Sequence, residues 1–192
     1  MPGLIALLLL GSAASAVPQT PAAATEEHCL PDDAGFLSMR LRGSIEADIE
    51  WREPELHCTG MPRPDGRGLR LRFSGLLPGA RELAIVFAAP ELAMGVSAHG
   101  VPANITLLDQ AGEHIYGTQG DSRCVFDEIE QLALVDPLLP PQSYRVSARG
   151  FCTVPARALD GDGAVLLTRF DFTGLVSYRE DEAAPPVAAS PP

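Results

Sequence analysis

The amino-acid sequence predicts an all-β fold: a single β-sandwich or jelly-roll-like domain of about seven to nine strands, disulfide-stapled, with disordered termini. Three observations predict it. Apolar and polar residues alternate with period two through several segments, which sends them to opposite faces of strands. The 192 residues include 18 Gly and 18 Pro, the punctuation that many short strands need. Four cysteines, Cys29, Cys58, Cys124 and Cys152, are an even number suited to two bridges.

Residues 1–16 read as a signal peptide. Leu4 to Leu10 are apolar, Gly11 and Ser12 follow, and Ala14-Ser15-Ala16 fits the small-x-small rule for cleavage before Val17. The run is shorter than the ~20 residues that cross a bilayer, and no second long apolar stretch follows. The expectation is export with no integral membrane segment in the mature chain. Residues 17–27, rich in Ala, Pro and Thr, read as a flexible leader, and residues 180–192 as a disordered acidic/Ala-Pro tail. The domain is then residues 28–179. All 14 basic residues are arginine, and the net charge is −11. Five of the 25 acids lie in the leader and tail, so the body is only mildly acidic. Such a balance excludes a phosphate-neutralising nucleic-acid binder. The absence of lysine beside abundant Ala, Pro, Gly and Arg matches a GC-rich coding sequence. That points to a bacterial protein, periplasmic or extracellular.

Within the body, Leu37, Met39, Leu41, Ile45, Ala47, Ile49 and Trp51 occupy odd positions, with polar residues between them. This reads as one long strand from Leu37 to Arg52, with Gly43 marking a bend or bulge. The 17 residues from Arg52 to Gly68 read as a long loop, either of a length that is often functional or simply stapled by the disulfide at Cys58. Leu69, Leu71 and Phe73 restart the alternation, and Leu83 to Ala88 reads as a buried central strand. Gly95 to Gly100 reads as a Gly-rich loop. Asn104 to Leu108 and His114 to Thr118 read as a hairpin. Val125 to Val135 fits either a helix, through Val125, Ile129 and Leu132, or a strand. Ser143 to Val154 alternates, and so does Ala164 to Thr173, with Leu166, Thr168, Phe170 and Phe172 on one side. If the strands flanking the long loop are neighbours, the Glu46/Asp48/Glu50 face meets Arg70 and Arg72.

Four constellations carry chemistry. In an exported chain the four cysteines are expected as two disulfides, for which three connectivities exist; the sequential one, Cys29–Cys58 and Cys124–Cys152, is expected here, each bridge closing a loop of about 30 residues for roughly 3–4 kcal/mol. Glu46-Ala47-Asp48-Ile49-Glu50-Trp51 puts three carboxylates on one face. It locally resembles the Glu-x-Asp-x-Glu signature of the laminarinase-like glycoside hydrolases, over six residues. The resemblance implies a jelly roll with Glu46 as nucleophile, Glu50 as acid/base and Asp48 as their partner. The alternative is a solvated, arginine-paired strand face. His28-Cys29 and His57-Cys58 would be brought together by the first bridge, and two imidazoles with Glu26, Glu27 or Glu55 are a candidate zinc or copper site. Otherwise they are surface histidines beside a structural disulfide, and no cofactor is expected. Asp160-Gly161-Asp162-Gly163 is a hairpin turn signal, with a calcium loop as the alternative.

No nucleophile elbow, P-loop or dinucleotide fingerprint occurs. The leading expectation is therefore a non-enzymatic exported protein that binds a protein partner or an envelope ligand. Glycoside hydrolysis and metal binding are the alternatives.

Overall fold

The structure, a computed structural model, describes residues 29–110, 114–120 and 123–178. The segments expected as signal peptide, leader and tail, and His28, lie outside the described residues. The described chain is all-β, with eleven strands: β1 (Phe36–Gly43), β2 (Ala47–Arg52), β3 (His57–Pro62), β4 (Leu69–Leu77), β5 (Arg81–Ala89), β6 (Ala98–Asp109), β7 (His114–Gly117), β8 (Cys124–Ala133), β9 (Ser143–Cys152), β10 (Ala156–Ala158) and β11 (Ala164–Ser177). No helix among the described residues is long and apolar enough to cross a membrane.

The strands form one continuous antiparallel sheet rather than the expected seven to nine strands of a sandwich. The cause is the length of β6 and β11. β6 pairs with β8 through Ala98–Ala103 and with β5 and β7 beyond that. β11 pairs with β10 at Ala164 and Val165 and with β9 from Phe170 to Ser177. Each long strand thus joins two neighbours on one side, and β6-β7-β10-β11-β9-β8 closes into a circuit. Two arms leave it: β1 and β2 from β11, and β5, β4 and β3 from β6.

The arms face each other across the core. Phe73 and Phe87 on one arm meet Phe172 with ring centroids 5.0 and 4.7 Å apart, and Phe126 closes on Phe170 at 5.6 Å. Trp51 on β2 lies on Gly75 of β4, where a Cβ would come within 2.7 Å of the indole, and its Nε1 donates to the Leu76 carbonyl at 3.0 Å. The disulfides pair Cys29 with Cys58 and Cys124 with Cys152. The second links directly opposed residues of β8 and β9.

Several expectations are corrected. Leu37 to Arg52 is a hairpin, not one strand. Leu37 opposes Trp51 and Met39 opposes Ile49, so odd residues pair with odd residues and the apolar phase passes through the turn unbroken. Gly43 ends β1 at φ +115°, against the Ala164 carbonyl. The Arg52–Gly68 segment contains β3, which occupies the place beside β4 expected for β2. Arg70 and Arg72 therefore oppose Met61 and Thr59, and the Glu46/Asp48/Glu50 face meets β1 instead. Ala98–Gly100 opens β6 rather than closing a loop. On β11 a bulge at Thr168 changes the buried side from Val165 and Leu167 to Phe170 and Phe172, so Leu166 and Thr168 do not share a face with the phenylalanines. A second bulge at Asp127 changes β8 from Phe126 to Ile129, and Val125 to Ala133 is strand throughout.

Candidate functional site

The three carboxylates of the β1–β2 hairpin are all exposed, and two are engaged by neighbours. Asp48 accepts from Arg42 Nη2 at 2.9 Å and Arg40 Nε at 3.2 Å, and the Arg42 guanidinium holds its pKa below the usual range, with Arg40 adding. Glu50 accepts from Ser38 Oγ at 2.7 Å. Glu46 sits in the turn before β2. Asp48 and Glu50 share one face of β2, whereas Glu46 precedes the strand; on that face Glu50, Ser38, Asp171, Arg149, Glu128 and His99 make a polar row across six strands. In that row Arg149 pairs with Glu128 at 2.8 Å. Desolvation raises the Asp171 pKa, opposed by Arg169 and Arg149 and reinforced by Glu50.

His57 is exposed on β3, on the face opposite its disulfide-bonded neighbour Cys58. Among the described residues no group of three or more His, Cys, Asp or Glu could hold a metal ion. Glu53, close in sequence to Glu55, has a structural role. Its carboxylate accepts from the Cys29 amide at 2.6 Å and the Gly35 amide at 2.8 Å, holding the segment before β1. Asp160 to Gly163 form the turn between β10 and β11, closed by Ala158 N donating to Gly163 O at 3.0 Å. Asp160 lies 3.6 Å from the His114 ring.

A cleft of about 1290 Å³ opens where β3 and the end of β11 meet. That exceeds the ~300–1,000 Å³ usual for small-molecule sites. One wall is β3 from Cys58 to Pro62, continued by the β3–β4 connection from Arg63 to Gly68 and by Arg70. The opposite wall is Leu175, Ser177 and Tyr178, with Glu91 to Met94 and Pro140. β3 pairs only with β4, so among the described residues its other edge has no strand partner. Gly60 allows β3 to lie against the Leu175 carbonyl; a Cβ there would clash with it.

Charge and apolar surface meet in this cleft. Arg63, Arg67 and Arg70 line it against Glu91, with Arg63 also paired to Asp65 at 3.1 Å. Met61 and Met94 are exposed on its walls. Beside it, the β8–β9 connection carries Val135 and Leu138 at 100% and 91% exposure. That connection is held in place. Leu134 N donates to Ser143 O at 2.9 Å, Leu138 N to Asp136 Oδ1 at 2.8 Å and Ser143 Oγ to Pro140 O at 2.7 Å.

Gln131 ties the cleft walls together. Its Nε2 donates to the Ala93 and Val96 carbonyls at 2.9 and 2.8 Å, and its Oε1 accepts from Gly95 N and the Tyr178 hydroxyl. Burial pushes the Tyr178 pKa well up, with Tyr144 adding to the shift. The length of the Arg52–Gly68 segment fits either a functional loop or a loop merely stapled at Cys58, and it holds β3 and one wall of the cleft. Sequence reasoning missed Met94, Pro140 and Tyr178, which are brought to that segment only by the sheet. Comparison with family models, curated proteins and solved structures finds no match to this chain.

Proposed function

We propose that this is a non-enzymatic, exported β-sandwich protein that binds a protein partner or envelope ligand, and that the β3–β11 cleft is where it does so. The two arms of the single sheet face each other, and this supports the sandwich reading. The observation that carries the binding reading is an open cleft with an unpaired strand edge, three arginines and two exposed methionines. Such an edge offers backbone groups to an extended segment, while side-chain pockets select its sequence. Two disulfides support an oxidising location. The expected mature chain begins at Val17.

The test is a library of short extended peptides and envelope components screened against the purified chain, with Met61→Glu/Arg67→Glu as control. The expected result is ligands with Kd near the micromolar range that bind the control at least tenfold more weakly. Ligands that bind both forms equally, or none at all, would overturn the assignment of the cleft.

A further inference from the structure

Tyr178, the last described residue of the chain, lines the arginine cleft. The sequence continues with Arg179-Glu180-Asp181-Glu182 and then Ala183-Ala184-Pro185-Pro186-Val187, outside the described residues. Glu180 to Glu182 are the only three consecutive acids in the sequence, and Arg63, Arg67, Arg70 and Arg72 are its densest group of arginines. The first three of those arginines line the cleft. At ~3.3–3.6 Å per extended residue, the three acids reach about 7–14 Å beyond Tyr178. The three acids thus follow, within four residues, a side chain that shares the cleft lining with three arginines.

We propose that the ligand class of the cleft is an acidic extended polypeptide, and that Glu180–Glu182 of this same chain is its resident occupant. The acids pair with Arg63, Arg67 and Arg70, and the Ala/Pro stretch that follows runs over the exposed Met61 and the Pro62 and Pro64 surface. Proline fixes φ, so a Pro-containing segment loses less chain entropy on docking than an ordinary one. The tether fixes the local concentration of the acidic run near the millimolar range. Even a weak site is then mostly filled, and an outside ligand must displace the strap. The charge contribution is screened by salt. This inference rests on the reading of the cleft as a binding site.

The test uses full-length chains throughout. A fluorescein-labelled synthetic peptide of residues 179–192 is titrated against the wild-type chain and against Glu180→Gln/Asp181→Asn/Glu182→Gln, in low and high salt. The expected result is salt-sensitive binding to the neutral-tail chain and about tenfold weaker binding to wild type, as a ~1 mM effective concentration competing against a ~0.1 mM Kd requires. Adding Arg63→Gln/Arg67→Gln/Arg70→Gln to the neutral-tail chain should remove binding, and the exposed Arg67→Gln alone should reduce it in a chain that keeps its fold. Equal binding to the wild-type and neutral-tail chains, or binding to neither, overturns the strap. The peptide library separates the two ideas: library ligands that depend on Met61 and Arg67 while the tail peptide does not bind leave the cleft assigned and the strap refuted.

Discussion

Gln131 accepts the hydroxyl hydrogen of Tyr178 at 2.8 Å and so ties the C-terminal end of β8 to the residue that follows β11. The same buried amide satisfies three backbone groups of the 93–96 segment. Replacing it with Ala leaves several of those groups without a partner in a site of low water access. Gln131→Ala should therefore cost about 2–3 kcal/mol in urea unfolding, whereas Tyr178→Phe, which removes one hydroxyl, should cost about 1 kcal/mol. Both variants should also weaken ligand binding at the cleft, because Met94 and Tyr178 stand on its wall. A Gln131→Ala chain as stable as wild type would show that the amide network is not what holds this end together.

Trp51 depends on Gly75 in a different way. A Cβ at Gly75 would lie 2.7 Å from the indole, closer than real contacts allow, so either the ring or the β4 backbone must shift. Gly75→Ala should cost about 1–3 kcal/mol, the range for overpacking a filled core, and should alter tryptophan fluorescence, since Trp51 is the only Trp. An unchanged emission spectrum with unchanged stability would show that the arms do not press on each other here.

Much of this fold was legible because burial follows period two wherever the strand is regular. Leu37, Met39, Leu41, Ile45, Ile49 and Trp51 are all buried as the alternation requires. The hairpin inside that run was hidden because odd residues pair with odd residues, which leaves the pattern intact across the turn. β3 was hidden for the opposite reason: His57-Cys58-Thr59-Gly60-Met61-Pro62 has no alternating apolar set, and its place is secured by Cys58, Gly60 and the β4 ladder. The bulges at Thr168 and Asp127 shift phase by one residue, which no local pattern announces. The cleft is further from the sequence still. Its walls come from segments more than a hundred residues apart, and only the 52–68 segment carried a signal, its length.

Asp171 gives a pH prediction of definite sign. Desolvation raises its folded pKa above the ordinary value of 3.8. A raised pKa means that its contribution to stability is present below the unfolded pKa and lost as pH rises through the folded value. At about pH 7 the ionised carboxylate is therefore a modest liability. Asp171→Asn should make the chain more stable at about pH 7, by less than about 1 kcal/mol because Asp171 is only partly buried and is screened by solvent. The difference should vanish near pH 3. Asp48 has the opposite sign: Arg42 and Arg40 lower its pKa, so its contribution is present above about pH 4 and falls away as pH drops through the folded pKa. Melting temperatures of the two Asn variants across this range should move in opposite directions relative to wild type. Parallel curves would refute the assigned causes.

The two disulfides allow stability and binding to be separated. They span nearly equal separations, 29 and 28 residues, so chain entropy assigns each about 3–4 kcal/mol. Their places differ. Cys124–Cys152 joins opposed residues of two strands that are already paired along their length. Cys29–Cys58 is anchored on β3, at the cleft wall, and secures the segment that Glu53 also holds through Cys29 and Gly35. Replacing either pair with Ala should lower the urea midpoint by a similar amount. Only Cys29→Ala/Cys58→Ala should, in addition, weaken a cleft ligand under conditions where both variants are still folded, because β3 then loses the one covalent tie at its otherwise unpaired edge. If the Cys124→Ala/Cys152→Ala chain loses as much affinity as the other, the effect on binding is a general consequence of lower stability, and β3 is not specifically held for binding by its bridge.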